Sequence, residues 1–455
     1  MADYASKWQS IDDRAIPAWF DEAKFGIFIH WGIYSVPSWG PKRDSVNTSG
    51  EAYAEWYGSA VRHAGGQYEA FHKRVYGEKK RYEDFVSDFK AELFEPQRWA
   101  SLFKRAGAKY VVLTAKHHDA FCLWPSAYRW NWNSKDIGPG RDLFGELATA
   151  VRGQGLRMGA YYSLLEWFNP LYSISPERYA RAEMIPQMKE LIQAYSPSVL
   201  FTDGEWEHDS EVWGSRDFLE WLFTESPVAQ EVVVNDRWGK ETRGNHGGYF
   251  TTEYGEVGFG PDGQELKMSR PRKWEENRGI GASFGYNRNE TLDDYMTERQ
   301  LIHLLVDTVS KGGNLMLNVG PTADGRIPVI MEERLVQIGD WLAVNGEAIY
   351  GTSTWRTSQQ GEHVRFTAKG DTVYAICLKW PGRELVLETA GLFEAGESTS
   401  EFEATEARLL GHEGPPLRTA VKDGRLIVKL PELEGSGDDL PCRHAYTIAI
   451  RRAGK

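Results

Sequence analysis

Eight short apolar runs, each ending in polar residues, limit what this chain can fold into. In order they are FGIFIHWG (25–32), KYVVLTAKH (109–117), LRMGAYYS (156–163), SVLFTDGE (198–205), VVVNDRWG (232–239), YFTTEYGE (249–256), GASFGYNR (281–288) and NLMLNVGP (314–321). Several begin as near-continuous apolar stretches, as strands buried on both faces do. Helical patterns lie between many of them, at 97–108, 142–155, 179–196, 215–226 and 298–313, and another follows the last run at 331–346. Such alternation makes a parallel sheet with crossover helices. Eight is the strand number of a TIM-type barrel. The expected fold is therefore α/β, a distorted (β/α)8 barrel over residues 1–350. Pro186 should break or kink its helix, because proline lacks the N–H that the preceding turn needs. Between the fifth and sixth runs stands only KETRGNHGG, and before the seventh a Gly/Pro-rich segment, so helices are expected to be missing there. An open doubly wound sheet is the alternative.

After about residue 350 the period changes to two. HVRFTAKGDTVYAICLKW reads as a hairpin turning at KGD, and ELVLETA, RLIVKL and AYTIAIRR follow as further strands. Residues 351–455 are expected to form a small all-β sandwich. Its plain role is to pack against the barrel; carbohydrate binding is the alternative, with no site visible for it.

A chain of 455 residues has room for both domains. With 53 Lys and Arg against 65 Asp and Glu, its net charge of −12 disfavours nucleic acid or an anionic membrane as partner. The three cysteines, Cys122, Cys377 and Cys442, are far apart and form neither a disulfide framework nor a zinc ribbon. The N-terminal stretch MADYASKWQSIDDRAIPAWF has no apolar core, so a cytoplasmic location is expected. A homo-oligomer is left open. The 18 tryptophans suit either a large core or stacking against sugar rings.

At or beside the C-terminal ends of the runs stand His30, His117, His118, Tyr161, Asp203, Arg237, Glu253 and Arg288. That end of a TIM barrel carries the active site. Taken alone, VLFTDGEW (199–206) could be a strand closing on an Asp-Gly turn. Eight polar residues facing one mouth favour chemistry. Adjacent His117 and His118 would point to opposite faces of a strand, so they make poor metal ligands unless the strand has already ended. Imidazoles suit hydrogen bonding to hydroxyls. The chain has no nucleotide-binding glycine motif, Walker sequence or nucleophile elbow, so no cofactor or metal is expected. What remains is a mouth rich in carboxylates, and two carboxylates flanking a glycosidic bond are the equipment of a glycosidase.

WFDEAKFGIFIHWGIYSVPSW (19–39), AEWY (54–57), TAKHHDAFCLWPS (114–126), NDRWG (235–239), KWEENRGIGASFGYNRNE (273–290) and LVDTVSKGGNLMLNVGPTADGRIP (305–328) together resemble the α-L-fucosidases of glycoside hydrolase family twenty-nine. The resemblance covers nearly the whole barrel, in the family's order, and the β-domain fits the family's architecture. It implies a retaining exo-α-L-fucosidase acting on fucosylated oligosaccharides or glycoconjugates. Asp203 matches the nucleophile. Glu253 matches the general acid/base of the most similar subgroup, with Glu275 second and Glu256 third. His30, Glu55, Trp56, His117, His118, Tyr161 and Arg237 match positions that bind fucose hydroxyls or support the nucleophile. Phe28, Phe201 and Phe284 match the apolar wall for the sugar's methyl group. Two positions depart from the pattern. Phe201 stands where Trp is frequent, which would reshape the methyl pocket, and Ala120 stands where Gly is usual, which would shift backbone packing. An inverting glycosidase on the same carboxylates and a fucose-binding protein without catalysis are the alternatives.

Overall fold

The computed structural model describes residues 8–42, 53–254, 272–389, 406–433 and 440–451. Eight strands form one sheet: β1 (Phe25–Ile29), β2 (Tyr110–Lys116), β3 (Arg157–Ser163), β4 (Val199–Asp203), β5 (Val233–Val234), β6 (Phe250–Glu253), β7 (Trp274–Gly279) and β8 (Asn314–Val319). Their order is β5-β4-β3-β2-β1-β8-β7-β6. β1 is the neighbour of β8, and the two strands without a ladder between them, β5 and β6, are consecutive in the chain. This is the cyclic order of a barrel with one seam, and it rules out the doubly wound alternative. Two backbone hydrogen bonds bridge the seam, Gly248 N to Asn235 O and Tyr249 N to Val234 O, both 3.0 Å. Glycine at 248 permits that approach, since a Cβ there would lie 1.7 Å from the Val234 carbonyl oxygen.

Six of the eight strands fall where the apolar runs predict. The fifth is shortened to two residues. The seventh is displaced, because GASFGYNR (281–288) is not a strand and the ladder runs instead through Trp274–Gly279, sequence WEENRG. A polar strand is accommodated because its carboxyls find partners on both faces of the sheet. Glu275 accepts a hydrogen bond from the Tyr110 hydroxyl, and Glu276, on the opposite face, one from Thr252. Arg288 is consequently not a strand-end residue. Its backbone N–H and its Nε bond Ser38, and its Nη2 bonds the Val36 carbonyl, which ties its loop to the segment after β1.

The helices between the strands follow their caps. Asp142 accepts from Gly145 N at 2.9 Å at the head of Leu143–Gly153, and Thr297 with Gln300 forms a capping box on Glu298–Ser310. Pro186 does not break its helix. The turn before it, Ala180–Met184, widens to π geometry, and the chain continues as the helix Ile185–Tyr195. A π turn redirects the hydrogen bonds around the N–H that Pro186 lacks. No described helix lies between β5 and β6, as expected; most of the stretch before β7 is outside the described residues.

The chain divides into two compact units. One comprises Met1–Phe20, Phe25–Tyr295 and Met316–Glu333, the other Asp21–Lys24, Met296–Leu315 and Arg334–Lys455. In the second unit β9 (Ser353–Gln360), β10 (Val364–Lys369), β11 (Thr372–Cys377), β13 (Glu406–Leu409) and β16 (Tyr446–Arg451) form a five-stranded sheet. β12 (Glu384–Glu388), β14 (Thr419–Lys422) and β15 (Arg425–Lys429) form a three-stranded one. Alternate residues of both sheets, among them Phe366, Ala375, Leu385, Leu387, Leu426, Val428 and Ile448, share one buried core, the sandwich arrangement that a period of two predicts. Gly370 and Asp371 make the two-residue turn between β10 and β11. The helix Glu298–Ser310 belongs to this unit, where Arg365 Nε donates to Asp307 Oδ1 at 2.6 Å.

Candidate active site

Asp203 is the last residue of β4, and Gly204 turns the chain away at φ 75°. A side chain at 204 would be strained by that φ and would meet Leu165 Cβ at 2.7 Å. Both oxygens of Asp203 are held. Arg237 Nη1 donates to Oδ1 at 2.7 Å and the Tyr161 hydroxyl donates to Oδ2 at 2.8 Å, while His118 Nε2 stands 3.8 Å from Oδ2. Burial alone would raise this carboxyl's pKa. The Arg237 charge, then His118 and the two hydrogen bonds outweigh it and bring the pKa down to about 2. The group is thus a fixed anion at neutral pH.

Arg237 lies three residues beyond β5 and is buried. Its Nε donates to Thr251 Oγ1 at 2.9 Å, Nη1 holds Asp203, and Nη2 contacts Glu253 Oε1. One guanidinium therefore touches both carboxylates that the sequence singles out. Glu253 closes β6 with its side chain 29% exposed, open enough to meet a bound molecule. Beneath Arg237 lies the Phe201 ring, 5.1 Å from the guanidinium carbon, itself stacked on Tyr161 and 5.1 Å from Phe28.

Three histidines line the mouth. His30 follows β1, and its Nδ1 lies 2.7 Å from Asn318 Oδ1. Asn318 gives its amide N–H to the Phe284 carbonyl, so its oxygen faces His30, and His30 Nδ1 must donate. That leaves Nε2 as an acceptor. His118 is fixed in the same way. Ser163 Oγ gives its proton to the Leu165 carbonyl at 2.6 Å, so His118 Nδ1 donates to Ser163 Oγ at 2.6 Å and Nε2 is the acceptor. Burial pushes both imidazoles down to about 4, against the pull of nearby carboxylates, so they are neutral at neutral pH. His117 is pushed lower still, by burial first and then by its two neighbours. The strand has ended at Lys116, which frees the adjacent histidines to turn together, with ring centroids 4.2 Å apart. His117 also stacks on Tyr161, and its buried Nδ1 has no hydrogen-bond partner among the described residues.

Glu55 and Trp56 come from a short 3-10 turn, Ala54–Trp56. Glu55 is buried and accepts from Gly285 N at 2.8 Å and Ser283 Oγ at 3.1 Å, which holds the loop carrying Phe284. Phe284 stacks on His30. Trp56 packs edge-on to His118 and Trp167 and lies parallel to Trp206, whose ring is 39% exposed. Ala120 adopts φ 65°, a left-handed conformation that glycine takes without strain; the departure at this position is a local backbone cost.

Of the three acid/base candidates, Glu253 closes its strand at the mouth. Glu256 lies outside the described residues. Glu275 stands lower in the barrel. It is the second residue of β7, paired with Thr251, while Glu253 pairs with Asn277. Glu275 is thus two residues nearer the N-terminal end of the barrel, buried beside Tyr110 and Tyr249. Burial raises its pKa to about 8, although both hydroxyls pull it down. A carboxyl whose folded pKa exceeds its unfolded value binds its proton more tightly in the folded state. Its stabilising effect is then complete below the unfolded value of about 4.3 and is lost as pH rises toward 8. Glu275→Gln keeps an acceptor for Tyr110 and cannot ionise. Its melting temperature relative to wild type should rise between pH 5 and pH 8.5 by a few degrees. Parallel melting curves across that range would refute the buried neutral carboxyl.

Sequence reasoning missed three charged neighbours. Glu205, two residues past Asp203, is buried, with Oε1 3.4 Å from Arg243 Nε. Arg243, from the segment between β5 and β6, also places Nη2 4.0 Å from Glu253 Oε1. Asp236 accepts from Gly244 N and from Thr251 N and Oγ1. Glu205 stood in view in VLFTDGEW, but nothing in the spacing says that Arg243 reaches it. Among the described residues no group of three or more His, Cys, Asp or Glu could hold a metal ion.

A mouth with one ionised carboxylate, a second carboxylate on the same guanidinium, neutral imidazole acceptors and aromatic walls has the kind of groups that glycoside hydrolysis uses. Comparison with known proteins agrees. The α-L-fucosidase family profile matches residues 1–347, and that of the α-L-fucosidase C-terminal domain matches residues 357–451. The chain is 42% identical to human tissue α-L-fucosidase, covering 98% of this chain and 91% of that protein, and 43% identical to the bovine tissue enzyme with the same coverage. A crystal structure of Thermotoga maritima α-fucosidase in complex with a mechanism-based inhibitor superposes with a TM-score of 0.80 at 38% identity, covering 98% of this chain and 99% of that one. With catalytic barrel and C-terminal domain both matched along nearly their whole length, the chain belongs to the α-L-fucosidases, a family of glycoside hydrolases.

Proposed function

We propose that this α-L-fucosidase removes terminal fucose from fucosylated oligosaccharides and glycoconjugates with retention of configuration, through a covalent fucosyl-enzyme. The observation that carries this reading is the single Arg237 guanidinium in contact with both Asp203 and Glu253. Such a bridge holds two carboxyls close together. It suits the ~5–5.5 Å spacing of retaining glycosidases better than the ~6.5–9.5 Å that leaves room for a water in inverting ones.

In the first step Glu253 gives its proton to the glycosidic oxygen as the bond to the anomeric carbon breaks. Asp203 attacks that carbon from the opposite face and forms an ester. In the second step Glu253 takes a proton from water, the water oxygen displaces the ester, and Asp203 leaves as a carboxylate. The low pKa of Asp203 makes it both available as an anion and a good leaving group. His30 and His118 offer Nε2 to sugar hydroxyls, and Tyr161 and Arg237 keep the nucleophile aimed. Phe28, Phe201 and Phe284 supply the apolar side that a deoxy sugar's methyl group needs.

Proton NMR during hydrolysis of an aryl α-L-fucoside tests the stereochemistry. The α-anomer of free fucose should appear first and the β-anomer only by later mutarotation. Initial β-fucose would establish inversion instead.

A further inference from the structure

Four carboxylates and two guanidiniums meet at the mouth: Asp203, Glu205, Asp236 and Glu253 with Arg237 and Arg243. Arg237 is committed by hydrogen bonds to Asp203 and Thr251 and by contact with Glu253. Asp236 is committed to Gly244 and Thr251. Glu205 and Arg243 are held more loosely. Glu205 Oε2 is buried without a hydrogen-bond partner among the described residues, and Oε1 has Arg243 Nε at 3.4 Å. Arg243 is partly exposed and reaches toward Glu253 with its other end, 4.0 Å from Oε1. One partly exposed cation is therefore shared between a buried carboxyl and the acid/base carboxyl, with Asp236 also in its field.

We propose that Glu205 is a positioning residue for hydrolysis: by holding Arg243 it keeps that cation from pairing fully with Glu253 and so preserves the proton that Glu253 must deliver. The inference rests on the reading of Glu253 as the acid/base. Its physical basis is competition for one charge. Glu253 already meets one guanidinium, that of Arg237; a second drawn onto it would further favour the ionised form, whereas a second held by Glu205 does so less. The groups facing Glu205 are Arg243 and Arg237, which favour its ionisation, and Asp203, which opposes it. Glu253 is faced by Arg237 and Arg243, with His118 and His30 also near. Burial, the largest influence, lifts Glu205 to about 7. Its grip on Arg243 therefore tightens as pH rises through neutrality, where a general acid is most in need of help.

The test is the pH profile of kcat/KM on a fucosyl disaccharide, whose alkaline limb reports the acid in the free enzyme. Glu205→Gln releases Arg243 and should move that limb toward acid by about half to one pH unit. Arg243→Gln removes the cation and should move it toward alkali. The second substitution is at a partly exposed position, so it remains informative if Glu205→Gln folds poorly. Opposite displacements support the proposal. Superimposable limbs, or displacement in the same direction, would overturn it. Failure of the underlying reading is distinguishable, because it appears in Glu253→Ala itself as the absence of a fucosyl azide product when azide is added.

Discussion

Asp203→Ala is expected to lose turnover by a factor of at least about a thousand, some 4 kcal/mol of barrier, while remaining folded and still binding fucose. The wild-type carboxylate is ionised, immobilised by Arg237 and Tyr161, and set at a strand end. Alanine at this place leaves no atom able to form the ester. It also leaves Arg237 and the Tyr161 hydroxyl without one shared acceptor, so a loss of stability of about 2 kcal/mol is expected beside the kinetic loss. Added azide should restore part of the rate on an activated aryl fucoside by entering the space the carboxylate vacated. The fucosyl azide formed would have inverted configuration, since only one displacement takes place. Fucose binding can be followed by calorimetry, which separates a lost reaction from a lost fold. A variant that keeps more than about a tenth of the wild-type rate would remove Asp203 from the role of nucleophile.

Glu253→Ala is expected to behave differently. Proton donation matters in proportion to how poor the leaving group is. The loss on a fucosyl disaccharide should therefore be about a hundredfold to ten-thousandfold, and far smaller on an aryl fucoside with a good leaving group. With the aryl substrate the ester still forms, and it then waits for a nucleophile that needs no general base. Azide is one, and two displacements give a fucosyl azide of retained configuration. The opposite stereochemistry of the azide products from Asp203→Ala and Glu253→Ala assigns the two roles without reference to rates. Glu275→Ala, by contrast, should weaken both substrates alike and give no azide product, because its carboxyl lies among Tyr110 and Tyr249 inside the barrel. Azide capture by that variant and not by Glu253→Ala would transfer the acid/base role to Glu275.

The fold was legible where burial is apolar. Runs such as KYVVLTAKH (109–117) and NLMLNVGP (314–321) are strands because nothing else buries consecutive branched side chains so well, and the structure places strands there. Legibility failed at β7. WEENRG is a buried strand whose carboxyls bond Tyr110 on one face and Thr252 on the other, and hydrophobicity carries no trace of such buried polar pairs. The neighbouring GASFGYNR looks more like a strand, yet it is the loop that brings Phe284 beside His30. Within the site, Asp203 and the histidines were legible because strand ends mark the mouth. The pairing of Arg243 with Glu205 was not. It depends on the path of an irregular segment between β5 and β6, where no period constrains which side chains meet.

The seam between β5 and β6 has a further meaning. In a closed barrel, the spacing between groups on different strands is dictated by an uninterrupted ladder, and no single side chain can alter it. Here Asp203 stands on one flank of the gap and Glu253 on the other, and β5 contributes only Val233 and Val234 to the sheet. Two main-chain bonds near the base close the wall, and higher up Asp236 and Arg237 join the flanks through Thr251 and Glu253. The span between Asp203 and Glu253 thus rests on side-chain hydrogen bonds and ion pairs rather than on a ladder. Substitution of Arg237 is therefore expected to change the separation of Asp203 and Glu253 without redesign of the sheet that carries them.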